Sequence, residues 1–250
     1  MYKRQPKILA SVFQVSENNP LVGLEERAKL LNELGQALIR HKHMFEFGDA
    51  LRPGNLYDYF LQRQEKGVLA AREILIAILK SMGEIWPDGS WVDSIAIGDA
   101  AYHEAVKRSD ITDRIVPFHK LSQWMSYSLI EPLQLAGMKI IHLDALTGLA
   151  EYRNGGLFID TGTISLKDKR EMETLHDPKS PLIVEWRALT VTLLDQLAEQ
   201  IRQHTNTNSE SMPLVSILQG GTWSAGRRIA QRLRSDASPP LRLKSRGTIF

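Results

Sequence analysis

The chain has no cysteine. That absence excludes disulfides, thiolate metal sites and cysteine nucleophiles, and it suits a reducing compartment. No apolar run approaches the roughly 20 residues of a membrane-spanning helix. The start, Met1-Tyr2-Lys3-Arg4-Gln5-Pro6, is polar and leads into no apolar signal region. A soluble, cytoplasmic protein without a membrane partner is expected. The chain also lacks an excess of either charge, with 31 basic residues against 29 acidic ones and a net charge of +2. So close a balance does not mark a general binder of polyanions.

Several motifs are missing as well. There is no Walker loop, no Rossmann glycine fingerprint and no His-Glu-x-x-His zinc motif. Gly221-Thr222-Trp223-Ser224-Ala225-Gly226 lacks the glycine that a nucleophile elbow needs two residues before its serine, because Thr222 stands there. His41 and His43 form a close pair, but their spacing places them on different faces of a helix, so no metal site is expected. The commonest nucleoside-triphosphatase, dehydrogenase and hydrolase readings fall away, and no cofactor is expected. Arg227, Arg228, Arg232, Arg234, Arg242, Lys244 and Arg246 crowd the last stretch, with Asp236 as its one acid. Few aromatics accompany them, so a charge-protected edge strand accounts for them better than a nucleic-acid interface.

What is present reads as a single, mainly α domain over residues 1–250. The composition is 43% apolar and 24% charged, ordinary for a globular chain able to bury a sizeable core. Helical spacing of Leu21, Leu24, Ala28, Leu31, Leu34 and Leu38 predicts a first strong helix, and Ile74, Leu75, Ile78, Leu79 and Met82 a second over 68–86 closed by a turn at Pro87-Asp88-Gly89-Ser90. Residues 91–117 read as irregular, with a short helix at 100–107. Pro117 opens a largely apolar helix to about residue 136, which Pro132 should kink or end. Asp144 caps a brief helix ending near Asn154-Gly155-Gly156. The longest helix falls at 182–204, with shorter ones at 213–219 and 223–234. A small β element is expected from short strands near 138–143, 157–166 and 241–250.

Polar residues in apolar surroundings supply the candidate site. Lys120, Gln123, Tyr127 and Glu131 fall on one stripe of their helix at about 100° per residue. Such a stripe is either the solvated face or the lining of a polar pocket. Arg187 sits among the apolar residues of the 182–204 helix, with Glu185 on the opposite side. A buried guanidinium requires a carboxylate or phosphate partner, structural or ligand-borne. The densest run is Glu151-Tyr152-Arg153-Asn154-Gly155-Gly156-Leu157-Phe158-Ile159-Asp160, two carboxylates, a guanidinium, an amide and a glycine pair within ten residues. The glycines admit close approach of a ligand or make a turn. Asp160 stands at a strand end facing a cleft, or in a plain Asx-turn.

These stretches resemble the uracil catabolism protein 4 family of fungi and bacteria. The resemblance rests on Phe118-His119-Lys120-Leu121-Ser122-Gln123-Trp124, Tyr127-Ser128-Leu129-Ile130-Glu131-Pro132-Leu133, the run 146–157, Glu185-Trp186-Arg187-Ala188-Leu189-Thr190, Gly220-Gly221-Thr222-Trp223 and Ala225-Gly226-Arg227-Arg228. Phe13-Gln14-Val15-Ser16, Asn19-Pro20-Leu21-Val22-Gly23-Leu24 and Gly247-Thr248-Ile249-Phe250 belong to it too, so the blocks run in order over nearly the whole chain. Family members extend further before this start, which implies a C-terminal fragment of a longer chain with residues 1–5 non-native. Arg246 departs from the family's usual aspartate. The run 146–153 is also similar to nucleotide N-glycosylases that salvage queuosine, where Asp-Tyr-Arg replaces Glu-Tyr-Arg.

The resemblance implies a place in uracil breakdown by a route through urea. It points to hydrolysis of the ribose–nitrogen bond of a ureido-ribose or its phosphate, with a non-catalytic binding or scaffolding subunit as the alternative. In that chemistry Glu151, with Asp160 second, would stabilise an oxocarbenium-like transition state and activate water. Lys120 and Arg153 would hold a phosphate. Gln123 and Asn154 would read the urea amide, with Tyr127, Glu185 and Arg187 completing the substrate contacts. The helix start after Gly220-Gly221-Thr222 offers a further anion site, or simply a glycine stop followed by a threonine cap.

Overall fold

A computed structural model describes residues 5–86 and 89–244. The expected turn at Pro87-Asp88, the expected last strand beyond residue 244 with Arg246, and the first four of the residues expected to be non-native lie outside this range. The fold is mainly helical with small β elements, and among the described residues every sheet has two strands. The described chain forms two compact units, one of residues up to 99 together with 125–142, the other of 100–124 and 143–244. Among the described residues no helix is long and apolar enough to cross a membrane.

The first unit contains α1 (Pro6–Val12), α2 (Leu24–Arg40), α3 (Lys42–Phe45), the hairpin β1 (Glu46–Phe47) and β2 (Ala50–Leu51), and α4 (Leu56–Arg63). Strand β3 (Val68–Ala70) and helix α5 (Ala71–Met82) come next, then the hairpin β4 (Ser90–Val92) and β5 (Ile95–Gly98). Helix α2 begins with Glu25 and Glu26 and ends with Arg40, charges matched to its dipole. Helix α5 buries Ile74, Ala77, Ile78, Ser81 and Met82, the i, i+3, i+4, i+7, i+8 stripe of an amphipathic helix. Phe45, Phe60, Leu69, Ile74 and Ile78 are fully buried, each side chain stabilising the unit by about 1.5–3 kcal/mol. Asn55 is buried among them because its amide donates to the carbonyls of Phe45 (2.8 Å) and Ala50 (2.7 Å), while Arg52 Nε donates to its Oδ1 (2.8 Å).

Two strands frame the second unit's start, β6 (Ala100–Tyr102) and β7 (Ile115–Pro117), paired antiparallel. The sequence pattern suggested irregular chain and a short helix there. Tertiary packing overrides the helix preference of Ala100 and Ala101, since Ala101 packs with Phe118, Ala150 and Val184. Helix α6 (Lys120–Leu135) begins three residues after Pro117 and continues past Pro132, so the proline does not end it; Gly137, at φ 92°, lies just beyond its end. Its portion from Met125 belongs to the first unit, as does β8 (Lys139–Ile141), which pairs parallel with β3.

The segment expected as a strand over 157–166 is instead helix α7 (Tyr152–Asp160) followed by turns. A three-residue apolar run fits either period. The helix wins because Glu151 caps it and Asn154, Leu157 and Phe158 fall on one buried face. Strand β9 (Leu175–His176) pairs parallel with β10 (Arg242–Leu243), the described part of the expected last strand. Helix α8 (Pro181–Thr205) is the long helix the periodicity predicts. Helix α9 (Leu214–Ile217) and α10 (Trp223–Leu233) are joined by a π turn, Leu218–Thr222.

Glycines allow α7 to sit against its neighbours. A Cβ on Gly155 would lie 2.7 Å from Thr190 Oγ1 and 2.8 Å from the Trp186 ring, and one on Gly226 would run into the Arg153 carbonyl. The Trp186 indole donates to the Gly155 carbonyl at 3.0 Å. Gly155 and Gly226 thus serve helix packing.

Candidate functional site

Everything in the site depends on how α7 begins. Glu151 is extended (φ −126°, ψ 162°), and its carboxylate turns back over the first helical turn. Oε2 accepts from the Arg153 amide at 2.9 Å and Oε1 from the Asn154 amide at 2.7 Å. These amides are orphan donors of a helix start, and an anion there is favoured by the helix dipole. Glu151 is only 9% exposed. Burial pushes its carboxyl above the ordinary glutamate range, opposed by the two amides and then by the positive charges of Lys120 and Arg153. Each carboxylate oxygen carries two lone pairs, so two accepted bonds leave further acceptor capacity.

Around this cap the structure gathers four of the expected residues. Lys120, at the start of α6, lies close enough to act electrostatically on Glu151. Gln123, one turn on and buried, accepts from the Thr147 amide at 3.3 Å, tying α6 to the loop before α7. Arg153 donates Nη1 to the Ala237 carbonyl at 2.8 Å and lies 4.8 Å from the Tyr152 ring centre. Its Nε is buried without a hydrogen-bond partner among the described residues. Arg187 is 4% exposed and lies over Phe118, 3.9 Å from the ring centre, with Nε donating to the Ala150 carbonyl at 3.3 Å. A cation–π stack and a backbone carbonyl therefore contribute to seating this guanidinium.

Other expected residues take different roles. Asn154 is fully buried, donating Nδ2 to the Leu149 carbonyl (3.3 Å) and accepting from Thr222 Oγ1 (2.9 Å). Its amide is committed inside the fold and does not face a ligand. Asp160 ends a helix, not a strand, and is closed by a two-point ion pair with Arg234 at 2.9 and 2.5 Å. Its side chain is 3% exposed. Glu185 lies about 200° around α8 from Arg187 and is exposed. It lines a cleft of about 210 Å³ with Leu182, Trp186, Leu189, Ile164 and Leu166, separate from the Glu151 cap. Tyr127 is buried on the first unit's portion of α6. Thr222 is not a cap: its φ −64° and ψ −42° keep the chain helical through the π turn, so α10 has no free amino end for an anion.

Phe118, Thr222 and Arg234 escaped the sequence reading as site neighbours. Thr222 and Arg234 meet their partners across 68 and 74 residues, which spacing cannot reveal. Among the described residues no group of three or more His, Asp or Glu side chains could hold a metal ion.

This is a mainly helical protein with a buried, doubly amide-bound carboxylate beside two cations. The family described as protein of unknown function DUF1688 matches residues 2–250, and the chain belongs to that family. It is 38% identical over 251 residues to protein urg3 of Schizosaccharomyces pombe, covering 97% of this chain and 58% of that protein. It is 38% identical over 265 residues to uracil catabolism protein 4 of Lachancea kluyveri, covering 95% of this chain and 59% of that protein. The chain spans under three-fifths of the length of either relative.

Proposed function

We propose that this protein acts in uracil catabolism, hydrolysing the ribose–nitrogen bond of a ureido-ribose or its 5-phosphate to release urea. The relative named uracil catabolism protein 4 supports the pathway. The observation that carries the chemistry is the Glu151 carboxylate, buried and fixed by two backbone amides beside Lys120 and Arg153. Fixed charge in a water-poor site acts most strongly where charge develops. As the C1–N bond breaks, its electron pair goes to the departing urea nitrogen and C1 gains oxocarbenium character, which Glu151 stabilises. Water adds to C1, Glu151 accepts its proton, and that proton ends on the urea nitrogen. Ureido-ribose and water thus become ribose and urea. Lys120 and Arg153 hold the phosphate when one is present, Arg153 with its unpaired Nε. Gln123 and Arg187 orient the substrate. The cysteine-free composition supports a cytoplasmic setting.

One observation favours a second reading. Glu151 caps α7 with both oxygens, a role sufficient to explain a buried glutamate in a non-catalytic binding or scaffolding subunit. The readings separate in one assay. The purified protein and a full-length relative are incubated with ureido-ribose, with and without 5-phosphate, and free urea is measured. Urea release that drops about 10²–10³-fold in Glu151→Gln supports hydrolysis. Arg153→Ala should raise KM more than it lowers kcat, because a phosphate contact is made equally in ground and transition states. No urea from either wild-type protein hands the case to the binding subunit, and full turnover in Glu151→Gln moves the catalytic role to Asp160.

A further inference from the structure

Glu151 is held by the first amides of α7, and the group that steadies those amides lies outside α7. Asn154 is the third helical residue, and its own N–H is one of the two that bind Glu151. Its Nδ2 meets the Leu149 carbonyl, which only accepts, so its Oδ1 must face Thr222. The Thr222 hydroxyl is therefore the donor in that 2.9 Å bond. Thr222 is 3% exposed, so the chain Thr222–Asn154–Glu151 is closed to solvent over most of its length.

The backbone places Thr222 there by an unusual device. Leu218–Thr222 is a π turn, and one residue added to a helical register rotates the downstream helix by about 100°. Without it α10 would carry a different side chain towards Asn154. Crowding does not account for the glycines in the turn, since a Cβ on Gly220 or Gly221 would meet nothing within 4 Å.

We infer that Thr222 is a positioning residue, acting through the Asn154 amide to hold the α7 amides on the Glu151 carboxylate. This rests on the proposed role of Glu151. The charged groups set around that carboxylate are Lys120 from α6, Arg153 from α7, and Arg187 from α8, which bonds the adjoining Ala150 carbonyl. None of them contacts Thr222 in the bonds described. Loss of the Thr222 hydroxyl therefore acts on the amide hydrogen bonds and leaves the neighbouring charges in place. Weaker amide bonds favour the carboxylate less, so the Glu151 titration moves to higher pH.

The test compares Thr222→Val, which removes the hydroxyl at nearly constant volume, with Thr222→Ser, which keeps it. In the urea assay Thr222→Val should lower kcat roughly tenfold with KM little changed. It should also move the acid limb of the kcat profile up by about half a pH unit. Thr222→Ser should restore both. The Glu151 carboxyl is titrated in parallel by ¹³C NMR on glutamate-labelled protein, its resonance assigned by its loss in Glu151→Gln. That titration needs no turnover, so it decides the positioning role even if the hydrolase reading fails. An upward titration shift in Thr222→Val, reversed in Thr222→Ser, supports the inference. A Thr222→Val protein that is less stable but has an unmoved Glu151 titration overturns it. An unmoved kcat beside a sharply reduced Glu151→Gln rate overturns it while leaving the catalytic role of Glu151 standing.

Discussion

Helix α7 carries a carboxylate at each end, and the two are treated in opposite ways. Glu151 stands at the amino end, where the helix supplies partial positive charge and two free N–H groups. Backbone amides bind both of its oxygens, and the cations Lys120 and Arg153 act on it from nearby. Asp160 stands at the carboxyl end, where the dipole opposes a negative charge. It needs a full counter-ion and has one in the Arg234 fork. Both carboxylates are buried and each accepts one described bond per oxygen, but Asp160 is neutralised by a guanidinium while Glu151 is held by backbone amides. A buried acid is a better candidate for chemistry when dipoles, not a salt bridge, hold it.

The most disruptive way to break this contrast removes the ground under both ends. Gly226→Ala drives a Cβ into the Arg153 carbonyl, a backbone obstacle that cannot rotate away. A stability loss of about 4 kcal/mol is expected, above the usual range for overpacking because the obstacle is backbone. Chemical denaturation would show it, and both ends of α7 should loosen together. Next in size is the paired comparison of Glu151→Gln and Asp160→Asn. Asp160→Asn leaves Arg234 without its charge partner and should cost about 3 kcal/mol, the low end for a buried pair because the Arg234 side chain is 22% exposed. Its turnover per folded molecule should stay near wild type. Glu151→Gln should do the reverse, losing turnover while shifting stability by roughly 1 kcal/mol or less. Exchange of these two patterns would make Asp160 the reactive carboxylate.

The smallest effect is a slope. The Glu151 carboxyl titrates above its unfolded value of about 4.3, so the folded state binds the proton more tightly. Its stability contribution is complete below the unfolded value and is lost as pH rises through the folded one. Wild type should therefore lose stability relative to Glu151→Gln across that window, and urea melts at successive pH values would measure it. Parallel curves would mean the carboxyl is solvated as well in the fold as outside it.

Much of the fold is legible in the sequence because long amphipathic helices announce themselves. Helices α2, α5, α6 and α8 are implied by the spacing of their apolar residues. Short elements are not. The Leu157-Phe158-Ile159 triplet is too brief to separate a period of 2 from one of 3.6, and the Glu151 cap that decides it is visible only as a contact. Residues 90–117 form hairpins because Ala100 and Ala101 find a distant partner strand and a core. At the candidate site, the dense run 151–160 drew attention to two carboxylates, but sequence alone could not divide them. That division depends on Arg234 and Thr222, brought in by α10 and the π turn before it. No residue pattern distinguished that π turn from a glycine stop and a threonine cap.

The bond between the Trp186 indole and the Gly155 carbonyl gives the protein an optical handle on α7. Of the five tryptophans, Trp91, Trp124 and Trp223 are exposed and Trp86 is half-buried, whereas Trp186 is 3% exposed. Its emission should form the blue edge of the protein's fluorescence. Because its hydrogen-bond partner is the backbone of α7 itself, the blue edge reports the seating of that helix. A ligand that draws α7 tighter or pries it loose would be visible in the spectrum of the unlabelled protein, with or without turnover.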